Sequence, residues 1–132
     1  MTGFLDTNVI VRYLTGDPPD MASRAASILD GERELLVTAV VIAESAYILG
    51  AIYRRPRSAI VDALISLIRK ENVSVFGLDE SAVLEALILC RPSNRVSFAD
   101  AMTWATARSS ESPVVYSFDR RFPGIGIEVR DE

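Results

Sequence analysis

Four carboxylates in this chain sit alone in otherwise apolar sequence. Asp6 is the only charge in MTGFLDTNVIV, Glu44 the only one in AVVIAESAYILGAIY, and Asp100 the only one in VSFADAMTWATA; Asp119 closes the strand-like run VVYSFD. An acid drawn into an apolar setting has to be paired, hydrogen-bonded or bound to a metal, because an uncompensated buried charge costs several kcal/mol or titrates away. No Lys or His accompanies any of the four within its own segment. If the fold gathers them, their mutual repulsion calls for a cation, and oxygen donors of this kind suit Mg²⁺ or Mn²⁺, which keep several waters and need few protein ligands.

Composition removes other chemistries. Histidine is absent, which excludes Ser-His and Cys-His catalysis and His-ligated zinc. A single cysteine, Cys90, permits no internal disulfide and no cysteine cage for zinc, and fits a reducing, cytoplasmic location. The net charge is −4, and setting the four lone acids aside leaves acids and bases in balance. Of the 14 basic residues only Lys70 is Lys; the rest are Arg, whose planar fork suits phosphate. No apolar run approaches the roughly 18 residues of a membrane span, and no signal-like start is visible.

The elements that must position the acids follow from periodicity. Gly3 to Asp6 reads as a short buried strand, followed by helical spacing through Val9, Ile10, Tyr13 and Leu14. Asp17-Pro18-Pro19-Asp20 breaks the chain before a second helix. Leu35 to Val37 is strand-like, and Thr38 is a good N-cap for the apolar helix that carries Glu44. Ser58 to Lys70 is amphipathic, Val73 to Phe76 a strand, and Asp79 the cap of a helix through Val83 and Leu87. Ser97 opens the helix of Asp100 and Trp104; Val114 to Ser117 and Glu128 to Arg130 are strands. Strands alternating with helices, without linker or repeat, predict one domain over residues 1–132: a three-layer α/β/α fold with a mainly parallel sheet of four to five strands.

Each acid also has an ordinary structural role open to it. Asp6 can cap the helix that follows, Asp100 stands at a capping-box distance from Ser97, and Asp119 suits an Asx turn. Glu44 has the poorest such role, since its helix is apolar nearly all round. Taken together, however, Asp6 and Asp119 lie at carboxyl ends of strands, where open α/β sheets bind ligands, and Glu44 and Asp100 lie in early helical turns after loops. Thr7, Asn8 and Ser117 are placed to orient carboxylates or metal waters. Arg120 and Arg121 flank Asp119 and are candidates to hold a phosphate. The cluster Arg54-Arg55-x-Arg57 reads more readily as a solvated loop, Trp104 and Tyr13 as core or interface, and Cys90 as a buried small apolar residue.

The segments FLDTNVIVRYL, VVIAESAYIL, SFADAMTWATA and VVYSFDRRF, in this order and spacing, resemble the PIN-domain family, and within it the VapC-type toxin ribonucleases. The resemblance spans almost the whole chain. It implies a parallel sheet flanked by helices and a Mg²⁺- or Mn²⁺-dependent endoribonuclease acting on an RNA substrate. By matched position, Asp6, Glu44, Asp100 and Asp119 are then the catalytic and metal-holding acids. Asn8 falls on the polar residue after the first Asp, and Ser117 stands where many relatives have Thr, keeping the hydroxyl. The resemblance also implies a homodimer and a cognate VapB-type antitoxin. Two other readings rest on the same residues. One is a non-catalytic PIN-like module binding RNA or protein. The other is an aspartate-nucleophile phosphatase, disfavoured because position 8 is Asn and Lys70 is poorly situated.

Overall fold

The computed structural model describes residues 2–132. In chain order the elements are β1 (Thr2–Phe4), α1 (Thr7–Thr15), α2 (Pro19–Leu29), β2 (Glu34–Val37), α3 (Ala39–Ala51), α4 (Arg57–Ile68), β3 (Val73–Val75), α5 (Glu80–Cys90), α6 (Phe98–Arg108), β4 (Val114–Tyr116) and β5 (Glu128–Arg130). The chain is a mixed α/β domain, and every strand pair is parallel.

The strands hydrogen-bond as two ladders rather than one continuous sheet. The first has the order β1-β2-β3, with Gly3 opposite Leu35 and Leu36 opposite Ser74; the second pairs β4 with β5, Val115 opposite Val129. Alternation along β2 and β3 sets one face inward, with Leu35, Val37 and Val73 in the core. The opposite face is open: Phe4 and Phe76 are 59% and 54% exposed and meet edge to face, ring centroids 5.1 Å apart. The expected buried first strand is therefore half right, because Phe4 points to the uncovered face and only Leu5, just beyond the strand, enters the core.

The helices pack on one another in a chain. α1 meets α2 and α3, α3 meets α4 and α6, and α5 meets α4 and α6. Ile10, Leu29, Ile42, Leu49, Leu64, Leu87 and Trp104 fill the space between them, and the Trp104 indole N–H donates to the Ile125 carbonyl at 3.0 Å. Cys90 is fully buried, as its neighbours in sequence suggested.

Helix ends follow local chemistry. Thr38 and Ser97 act as N-caps, their hydroxyls accepting from the amides of Val41 (3.4 Å) and Asp100 (3.0 Å). Asp6 and Asp79 take the cap position by backbone angle alone, and neither side chain makes the capping bond expected of it. At Asp79 the loop is held instead by its amide donating to the Ser109 hydroxyl. α1 stops at Gly16, whose φ of 71° lets its amide close back on the Arg12 carbonyl at 2.9 Å.

Candidate active site

The first acid is placed by the step from β1 into α1. Asp6 follows Leu5, whose amide donates to the Leu36 carbonyl and so keeps the chain on the sheet until α1 begins. The Asp6 carbonyl accepts from Val9 and Ile10, starting the helix, while its carboxylate is exposed and without a hydrogen bond or ion pair among the described residues.

Thr7 is 4% exposed, and its hydroxyl donates to Glu44 Oε1. This bond joins the first turn of α1 to the second turn of α3 and brings Glu44 to the residue that follows Asp6 in the chain. Glu44 itself is exposed, against the expectation that its apolar helix would bury it. α3 can be apolar nearly all round because Val40, Tyr47 and Ile52 share solvent with Glu44, while Ile42, Ser45, Ala46 and Leu49 face the core. The apolar neighbourhood of an acid in sequence thus did not translate into burial in space: Asp6, Glu44 and Asp119 are exposed and Asp100 is half-buried.

Asp100 rides on the first turn of α6. Its amide is bound by Ser97, but the reciprocal half of a capping box is missing, so its carboxylate too is without a partner among the described residues. The corner beneath it is pinned by Arg57. The guanidinium Nη1 donates to the carbonyls of Cys90 (3.0 Å) and Val96 (2.5 Å), and its carbon lies 4.5 Å above the Phe98 ring. Arg57 therefore ties α4, the end of α5 and the start of α6 together and is no longer a candidate phosphate ligand. The Cys90 thiol in this corner is pushed up to about 11, first by burial, with Arg57 opposing and the Asp100 charge adding to the rise.

Asp119 lies beyond β4 in the second ladder. The Ser117 hydroxyl accepts from the Asp119 amide at 3.1 Å, and Asp119 Oδ1 in turn accepts from the Arg121 amide at 2.8 Å, the Asx turn that the sequence allowed. The Arg121 side chain is 3.5 Å from the same oxygen. Arg120, by contrast, has no acidic partner among the described residues and lines a cavity with Asp119. The two arginines thus divide: Arg121 holds the acid, and Arg120 faces outward with its charge unspent. Asn8 is exposed on α1 beside Arg12 and Arg24 and is not bonded to Asp6.

The structure ties Glu44 to Thr7, the residue after Asp6, sets Asp100 on a helix packed against α3, and leaves Asp119 in its own turn. Among the described residues, no three Asp, Glu or Cys side chains converge closely enough to hold one ion among them. The donor types still fit a hard cation: they are carboxylates, and among the described residues Asp6 and Asp100 have no competing basic partner. Mg²⁺ is commonly held by only one or two carboxylates, with water and substrate phosphate filling its shell. Sequence reasoning missed Phe118. It is 88% exposed between Ser117 and Asp119, and the signal was present in its apolar side chain just past a strand end.

A protein-family model described as PIN domain matches residues 3–128, nearly the whole chain. No curated protein matches it.

Proposed function

Because the chain belongs to the PIN domain family, we propose that it is a Mg²⁺- or Mn²⁺-dependent endoribonuclease that hydrolyses RNA phosphodiester bonds as the toxin of a VapBC-type toxin–antitoxin pair. PIN domains are generally metal-dependent nucleases. The observation that carries the reading is that Asp6 and Asp100, in a domain of this family, present carboxylates that no basic group among the described residues neutralises. When bound, the metal supplies a Lewis acid that activates water and offsets charge on the phosphate oxygens.

In this reading Asp6, Asp100 and Asp119 hold the metal. Glu44 is fixed by Thr7 through Oε1, which leaves Oε2 to hold a metal water or accept the proton of the attacking one. Ser117 and Arg121 hold the Asp119 turn, and Arg120 is the cation available to the substrate backbone.

The finer assignment to the toxin branch is supported by the order and spacing of the four acidic motifs. A homodimer and a VapB-type antitoxin go with that branch, and the exposed Val40 and Tyr47 on α3, with Ile52 just past its end, offer apolar surface for a protein partner. A cytoplasmic location goes with it as well. No helix among the described residues is long and apolar enough to cross a membrane.

The test is incubation of purified protein with total bacterial RNA in Mg²⁺ or Mn²⁺ and in excess chelator, with new 5′ ends mapped by sequencing. Discrete metal-dependent ends, absent with Asp100→Asn, are expected. Folded wild-type protein that yields no new ends would favour the non-catalytic module.

A further inference from the structure

Phe118 is the most exposed large apolar side chain among the described residues. A lone exposed apolar side chain is ordinary on a protein surface, and what sets this one apart is its place, directly before Asp119 and on the wall of a cavity with Arg120. Its surroundings are charged rather than apolar. It borders a cavity of about 340 Å³ whose walls include Asp119, Arg120, Val129, Arg130 and Asp131. That volume is near the lower end of the roughly 300–1,000 Å³ typical of small-ligand pockets.

The cations differ in availability. Arg130 is locked in a two-pronged pair with Glu128, both contacts 2.9 Å, and Arg121 is held by Asp119. Arg120 alone on this wall has no acidic partner among the described residues. Tyr116, two residues before Phe118, is also exposed and adds a second ring on the same strand exit. An aromatic face, one free guanidinium and an adjacent carboxylate suit an unpaired nucleotide: base on the ring, phosphate on the arginine. A purely apolar protein partner would meet Asp119, Arg120 and Asp131 at the rim.

We infer that Phe118 and Arg120 form a seat for one nucleotide of single-stranded RNA beside Asp119, the ring stacking the base and the guanidinium pairing with its phosphate. This rests on the nuclease reading for its place in the reaction, but the seat itself needs no metal. It positions substrate and performs no bond-making step.

The test measures fluorescence anisotropy of a labelled single-stranded oligoribonucleotide of about ten residues, within the usual span of such sites, in excess chelator so that nothing is cut. Phe118→Leu keeps an apolar side chain and removes the aromatic face; it is expected to weaken binding about ten-fold, on the scale of one base–aromatic stack. Phe118→Trp is expected to retain affinity, and its new exposed indole should be quenched by RNA, distinguishable from the buried Trp104. Arg120→Gln should weaken binding and flatten its salt dependence. Equal affinity of wild type and Phe118→Leu, with no quenching of the Trp variant, overturns the seat. So does a change in oligomeric state with Phe118→Leu, seen by sedimentation, which assigns the ring to a protein contact. Metal-dependent cleavage with an indifferent Phe118 sinks the seat and leaves the nuclease. Phe118-dependent binding without cleavage does the reverse.

Discussion

Replacing Arg57 should destabilise the fold more than its half-exposed position suggests. Its Nη1 donates to two main-chain carbonyls, 33 and 39 residues further along the chain, and its plane covers Phe98. A charged donor to a neutral acceptor contributes roughly 1.5 kcal/mol at the low end, and a partly solvated cation–aromatic contact about 0.5 kcal/mol. Arg57→Ala thus removes about 3.5 kcal/mol, and recovery where water reaches the freed carbonyls leaves a net loss of about 3 kcal/mol. Arg57→Lys keeps one carbonyl bond and loses the second together with the flat stacking surface, so it should cost about half as much. For a domain of this size those losses lower the melting temperature by about 10 °C and about 5 °C respectively. The assay is urea unfolding at fixed slope, alongside calorimetry. The comparison with Phe98→Leu isolates the ring contact through a double-mutant cycle. If Arg57→Ala lies within about 0.5 kcal/mol of wild type, the range of ordinary surface changes, the corner under Asp100 is not pinned as argued.

Three further outcomes are expected. Ser45 is fully buried with a hydroxyl that finds no partner, so Ser45→Ala should stabilise the protein by about 1 kcal/mol, read from the urea midpoint; a loss instead would show a hidden hydrogen bond. The Cys90 thiol keeps its proton up to about 11 when folded, whereas the unfolded thiol gives its proton up lower, near 8.5. Unfolding therefore releases a proton in that window and stability falls as pH rises through it, a slope that Cys90→Ala should reduce, leaving the share of Tyr13 and Lys70, whose pKa values are also raised by their bonds with Asp30. Finally, Mg²⁺ or Mn²⁺ should raise the melting temperature of wild type by mass action, about 2.7 kcal/mol at a hundred times its dissociation constant. Asp6→Asn and Asp100→Asn should lose that shift while remaining folded; an undiminished shift in both would remove these acids from the metal site.

Much of this was legible where the chemistry is local. Thr38 and Ser97 start helices because a hydroxyl at that place satisfies an amide three residues on, and Asp119 makes its turn with Arg121 two residues away. The parallel pairing could be anticipated, since short apolar runs alternating with helices leave it as the simple solution. What depends on distant partners was not legible. Nothing near Arg57 in sequence announces the carbonyls of Cys90 and Val96. α3 offers no polar face from which the exposure of Glu44 could be read, because its water-facing side is itself apolar. Phe4 and Phe76 look like core residues until the strand pairing shows that both point to the uncovered face.

The division of the strands into two ladders has a mechanical consequence. Asp6 leaves β1, in the first ladder, and Asp119 leaves β4, in the second. Within a ladder, main-chain hydrogen bonds fix neighbouring positions in steps of whole residues, whereas between ladders the spacing is left to side-chain packing, here by way of α6, which touches β4. The gap between these two acids is therefore a continuous quantity, adjustable by the size of side chains between α6 and β4. A methylene gained or lost there would change the reach between the carboxylates without altering either one, so the spacing is open to tuning by residues that lie outside the site.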